Sequence, residues 1–349
     1  MRTLTQMSIS AAPYRASWVN ALIDRVERLP GPAWAAYVLA IVPALLYLGV
    51  ADWISGGRIG ELQPDGVIWA LALVGSIWLI HHLDSVARRA FGEFGPMLGL
   101  AAEERDRLEY ELTVIPRTPA LVILVLAALR TAEGFAFQPE SEGLASLTPG
   151  ALALRFPFET ILTALVLILI YHTVRQLRLV GRIHAESKRI NLFRPAPLYA
   201  FSRLTSQTAI GLALLVIPFG TGLTSASTAL DYVTLFSISG PIIGVAVLAF
   251  FLPLLGMHGR MSAEKRRLQD EVGQRVEMLV DRLHGSVDRD DLAGADGQNK
   301  ALASLIAERE LVNHLSTWPW QAGTAGAVAS AVLLPIVLFL LTRFLDRVL

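Results

Sequence analysis

The chain has 349 residues, 53% of them hydrophobic and 17% charged, with a mean hydropathy of +0.50. That composition excludes an ordinary soluble globule and points to a polytopic membrane protein. Its 30 basic and 30 acidic side chains cancel, so no nucleic-acid partner is expected, and the absence of cysteine removes disulfides, thiolate metal sites and a cysteine nucleophile.

The first segment, 1–32, lacks an apolar core followed by a small-residue cleavage site, so no signal peptide is expected there. Trp18, Leu22, Val26 and Leu29 fall on one helical face and Arg25, Glu27 and Arg28 off it, which reads as an interfacial helix. Seven apolar segments follow, at roughly 33–54, 66–83, 119–137, 158–175, 206–223, 233–255 and 321–342. The third carries Arg130 and Glu133 near its end, and the fifth is interrupted by Pro218 and Gly220. The expected organisation is all-α. Spans one to four occupy 33–175, a cytoplasmic helical extension 176–205, spans five and six 206–255, a cytoplasmic helical hairpin 256–320 and the last span 321–349.

Charge sets the expected orientation. With the N-terminus inside, the N-terminal segment and the connections 84–118, 174–205 and 256–320 are cytoplasmic and hold 25 of the 30 lysines and arginines. Such an excess of positive charge on one side places the C-terminus outside after an odd number of spans. The inner connections read as helical continuations of the spans, with an Asp- and Gly-rich loop over 285–298 at the tip of the hairpin. A weak repeat is visible: spans two, four and six end in histidine followed by basic residues, at His81-His82, His172 and His258.

The last 50 residues have their own character. A helix over 301–312 meets a break at Ser316-Thr317-Trp318-Pro319-Trp320, and an uncharged run then continues from Ala322 to Leu341. Small residues at Gly323, Ala325, Gly326, Ala327, Ala329, Ser330 and Ala331 would let other helices approach closely. Val328, Val332, Ile336 and Phe339 recur along one face, either as a packed or lipid-facing surface or as a hydrophobic constriction that gates by dewetting.

Catalytic signatures are missing from the sequence. It has no phosphate-cradling loop ending in Gly-Lys-Ser/Thr, no His-Glu-x-x-His and no Gly-x-Ser-x-Gly, so a non-enzyme without a cofactor is expected. His81, His82 and Asp84 read as a wet interfacial group, because adjacent helical histidines point about 100° apart and rarely share a metal. Arg130 and Glu133, three residues apart, form either a surface ion pair or the polar part of a ligand pocket, with Trp69, Phe135, Phe137 and Tyr232 as apolar neighbours. No buried acid of the kind used by proton-coupled pumps is expected in the spans.

This order of parts resembles the seven-transmembrane ion channel superfamily that includes the insect odorant and gustatory receptors. The shared features are seven spans, extended spans four to six, a cytoplasmic helix just before the seventh span and a chain that ends soon after it. The tyrosine-containing signature of gustatory receptors is not matched by Leu333-Leu334-Pro335-Ile336-Val337-Leu338-Phe339. The short outer loops suggest a prokaryotic member in the plasma membrane. The resemblance implies a homotetramer whose last span lines a central, cation-conducting pore, opened by a small apolar ligand bound in the outer half of the first six spans. It also implies an anchor built from 176–200, 260–284 and 300–316, and an outer mouth ringed by Arg343, Asp346 and Arg347. A different reading is a non-conducting sensor or scaffold whose cytoplasmic hairpin binds a partner.

Overall fold

The structure is a computed structural model that describes residues 12–61, 63–137, 147–186, 190–220, 229–289, 292–321 and 323–348. These residues form an all-helical bundle with one isolated antiparallel bridge, Ala16 to Pro116. The helices are α1 (Trp18–Glu27), α2 (Ala33–Ile54), α3 (Pro64–Phe94), α4 (Ala102–Thr113), α5 (Arg117–Phe137), α6 (Pro149–Glu186), α7 (Ala200–Gly220), α8 (Ala229–Asp288), α9 (Leu292–His314) and α10 (Thr324–Val348). Among the described residues, α2, α3, α5, α6, α7 and α8 are long and apolar enough to cross a membrane. The seventh expected segment forms α10, whose described apolar stretch, Thr324–Leu334, is shorter than a span.

Three helices are longer than a hydrocarbon core is thick. At about 1.5 Å per residue, α3, α6 and α8 measure roughly 45, 57 and 90 Å, against a bilayer core of roughly 30 Å. All three run in the same direction, because α5 and α7 return the chain between them, and each continues past its apolar stretch at the same end of the bundle. That end carries most of the basic residues. Two expected boundaries shift accordingly. The helix of the second segment continues past residue 83 to Phe94, and α6 starts at Pro149 and takes Pro157 into its interior. The loop expected over 285–298 is also shorter, since α8 runs to Asp288 and α9 begins at Leu292. Gly294 and Gly297 are tolerated in α9, whose stability comes from pairing with α8 rather than from intrinsic propensity.

The core is a ring of α3, α6, α7 and α8, with Ile80, Leu83, Phe91, Phe94, Leu165, Ile168, Leu169, Phe201 and Met257 fully buried within it. α5 lies outside on α6 and turns Leu121, Val122, Val125 and Leu129 outward. α3 and α7 meet so closely that a Cβ added at Gly211 would stand 2.5 Å from Leu79 Cδ1, and Leu79 is itself buried. Small residues at such crossings are how membrane helices gain contact without a hydrophobic driving force between them. Gly211→Val should therefore lower stability by about 1–3 kcal/mol through overpacking, measured as a fall in melting temperature in detergent. Gly75→Val, where nothing approaches within 4 Å, is the control.

The hairpin of α8 and α9 is tied at its membrane-proximal end. Lys265 Nζ donates to the carbonyls of Asn313 (2.7 Å) and Leu315 (2.9 Å), which satisfies carbonyls left open where α9 ends. Arg275 lies 3.6 Å from Glu308 further along. After α9 the chain turns through a stack of rings: His258 on Trp318 at 3.9 Å, Trp318 on Trp320 at 4.3 Å, and Trp320 on Phe250 at 5.4 Å. Gly323, at φ +88°, then redirects the backbone into α10.

Candidate functional site

A cavity of about 400 Å³ lies between α3, α5, α6 and α8, in the half of the bundle where α3 begins and α5 ends. Its body is apolar, made by Trp69, Phe135, Phe158, Leu162, Val166, Leu167, Ile170 and Ile242. Arg130, Arg155 and Glu159 supply its charged groups, and Thr131 and Thr163 its hydroxyls. Arg155 is steadied by Asp52, 3.3 Å away, with both side chains mostly buried. A largely apolar chamber with a few convergent polar groups is the usual form of a small-molecule site.

The sequence-expected pocket residues divide. Trp69, Arg130 and Phe135 line this cavity. Arg130 also stands 3.9 Å from Glu133, so it takes part in both arrangements considered for it. Glu133 is exposed and does not line the cavity, and Phe137 is 80% exposed at the end of α5. The Tyr232 side chain lies outside the described residues. Sequence reasoning missed Arg155, Phe158, Leu162 and Thr163. For Arg155 the missed signal was the uninterrupted helix from Pro149, which carries the second turn of α6 into the bundle.

Below this cavity the bundle holds a buried polar centre. Asp84 Oδ1 accepts from Gln176 Nε2 at 2.9 Å and lies 2.7 Å from His172 Nε2. All three residues are at most 6% exposed. Gln176 Nε2 also donates to the Leu112 carbonyl at 3.0 Å. His172 Nδ1 has no hydrogen-bond partner among the described residues. The expectation of spans without a buried acid is therefore corrected. Asp84 is followed by Arg88 and Arg89 and reads as solvated, but α3 continues unbroken and turns it into the core, where a carboxyl requires hydrogen-bond partners. The histidines nearby go separate ways. His81 Nδ1 meets Tyr37 Oη at 3.0 Å and its Nε2 meets Glu27 at 3.2 Å, whereas His82 Nε2 meets Gln207 at 2.8 Å. Among the described residues no group of three or more potential ligands could hold a metal.

The centre connects to an N-terminal strap. Ser17 N donates to the Ile115 carbonyl and Arg117 N to the Arg15 carbonyl, both at 2.9 Å, so residues 15–17 lie alongside 115–117. Tyr14 Oη donates to the Val114 carbonyl at 3.0 Å and accepts from Arg175, whose other nitrogen also reaches the Val114 carbonyl at 2.9 Å. Burial pushes the Tyr14 hydroxyl above the ordinary tyrosine range against the pull of Arg175, so it remains a neutral donor. α6 thus presents Ile170 to the cavity, His172 and Gln176 to Asp84, and Arg175 to the strap within two turns.

α10 rests on α7 and α8. Val328 is 4% exposed in a cluster with Ala209, Phe250 and Leu254, and Val332 packs on the same cluster. The expected constriction line is thereby divided. Its first two members turn into the chain's own core, and Ile336 is exposed. The other side of the helix, with Gly326, Ala327, Ala329, Ser330, Leu333, Val337 and Leu341, is also exposed. The side chains of Phe339, Arg343, Asp346 and Arg347 lie outside the described residues.

Comparison with family models, curated proteins and solved structures produced no match. The chain is a membrane-embedded helical bundle with an internal cavity, a buried carboxyl–histidine centre and a projecting hairpin.

Proposed function

We propose that the protein is a homotetrameric, cation-conducting channel of a prokaryotic plasma membrane, opened by a small, mostly apolar ligand in the cavity between α3, α5, α6 and α8. α10 is the seventh span in this reading, with the N-terminus in the cytoplasm. The observation that carries it is the uncovered side of α10. Gly326, Ala327, Ala329 and Ser330 are exposed there, and a lipid-facing surface would favour large apolar groups whereas small ones suit close helix–helix approach. The pore face is then the line through Ala329, Leu333 and Ile336, rotated away from Val328 and Val332. Exposed Met278, Ile306 and Leu311 on the hairpin would be subunit contacts of a cytoplasmic anchor.

Those same hairpin residues favour the second reading, a non-conducting sensor whose hairpin docks another protein. Single-particle imaging of the protein in lipid nanodiscs separates the two. The expected result is a fourfold assembly with α10 at its axis, and planar-bilayer currents altered by Leu333→Ser and unchanged in selectivity by Val328→Ala. A monomer, or a twofold dimer without an axial passage, would overturn the channel.

A further inference from the structure

A second cavity, of about 420 Å³, lies between α1, α2, α3 and α6, with Phe158 as the wall it shares with the ligand cavity. Ala36, Ala40, Pro43 and Ala44 recess one side of α2, and Leu73 and Ile77 of α3 form the opposing wall. Ala40 and Pro43 are exposed, as is Ile161 at the far end, so the groove opens sideways from the bundle.

Three observations identify its occupant. The first is chemical: the two hydroxyls in the lining are already engaged, Tyr37 with His81 at 3.0 Å and Tyr47 with the Leu154 carbonyl at 2.9 Å. With those hydroxyls engaged and every other lining side chain apolar, the occupant suited to this length is hydrocarbon. The second is dimensional. The groove follows α2 from Ala36 to Tyr47, about 16 Å at 1.5 Å per residue, and one leaflet of a hydrocarbon core of about 30 Å is about 15 Å deep. The third is its position. One end is closed by Leu22 and Val26 of the amphipathic helix α1, beside which Arg25 and Arg28 are exposed. The acids of this helix are partly withdrawn: Glu27 is held to His81 at 3.2 Å, and desolvation raises the pKa of Asp24.

We infer that this groove holds one acyl chain of an anionic phospholipid, from the leaflet against which α1 lies, with the phosphate at the level of Arg25 and Arg28. The lipid completes the seam between α2 and the bundle, which α2's own side chains close further along, where Leu48 packs against Ala70 and Phe158. The inference stands independently of conduction.

The test uses the full chain in nanodiscs containing phosphatidylglycerol with a photoreactive group midway along one acyl chain, and mass spectrometry maps the labelled peptides. Label should concentrate on the α2 segment around Ala40–Ala44 and on Ile77, above the level at lipid-facing Val122–Leu126 of α5. Ala44→Trp should reduce the α2 label about fivefold or more, exceeding the effect of displacing one buried methylene, while α5 labelling is unchanged. Ala40→Leu is a milder filling variant should Ala44→Trp fail to fold. Unlabelled phosphatidylglycerol should compete better than phosphatidylcholine, by about fivefold for each arginine engaged, and Arg25→Gln with Arg28→Gln should abolish that preference. Equal labelling of α2 and α5, or α2 labelling indifferent to both filling variants, would show annular lipid only and overturn the site. Equal competition by the two headgroups, or by a free fatty acid, would overturn the anionic phospholipid assignment.

Discussion

Asp84→Ala is expected to lower the stability of the detergent-purified protein by about 3 kcal/mol, the scale for leaving partners of a buried pair uncompensated. The substitution removes the acceptor of Gln176 Nε2 and the partner of His172 Nε2 at once, in a position water does not reach. Asp84→Asn keeps the shape and an acceptor oxygen, so it should recover a good part of the loss. Ser76→Ala is the matched control, because Ser76 is equally buried but donates only to the Ala72 carbonyl one turn back in its own helix. Thermal unfolding followed by intrinsic fluorescence checks the set, and a double-mutant cycle with His172→Ala measures the coupling directly. If Asp84→Ala and Ser76→Ala melt together, the centre is not holding α3 to α6.

The second large effect is expected at the ligand cavity. Thr163→Trp places a ring in the chamber between Phe158 and Ile170. Overpacking costs about 1–3 kcal/mol per inserted group, so a ligand that must displace the ring should bind about 10–100-fold more weakly. The measurement is the ligand-induced rise in melting temperature across a panel of small apolar compounds, followed by current recordings with any compound that stabilises the wild type. Stabilisation by bound ligand follows mass action, so a weakened site appears as a shift along the concentration axis. A compound that protects Thr163→Trp as well as wild type binds elsewhere. Arg155→Gln should act differently. It releases Asp52 and alters which polar groups of a ligand the cavity accepts, while leaving room for the ligand's apolar body.

Local reading of the sequence succeeded where hydrophobicity and breakers agree. α2 and α5 begin and end within two residues of their apolar runs, and the break before α10 falls at Trp318-Pro319-Trp320 as expected. It fell short in α3, where burial outlasts the apolar stretch. After Leu83, α3 is rich in charge, yet its buried side continues through Val86, Ala87, Ala90, Phe91 and Phe94. Asp84 shares that inward side, but its partners lie 88 and 92 residues further on, a distance no local period can span. The histidine at the end of each of three spans was the visible trace of this layer. His82, His172 and His258 each have a specific tertiary contact, with Gln207, Asp84 and the Thr317 carbonyl. In α10 the difficulty was different. The helix is apolar on nearly all sides, so spacing alone could not say whether Val328 and Val332 meet lipid, another subunit or their own core.

The strap has a consequence in time. Tyr14 is held by Arg175, 161 positions later in the chain. At a synthesis rate of about 5–20 residues per second, roughly 8–30 s separate the appearance of the two residues. During that interval α2, α3 and α5 enter the membrane while the strap has no completed seat. Its docking therefore reports that α6 has arrived, and a ribosome stalled before Arg175 should leave residues 12–17 open to protease that spares them in the finished protein.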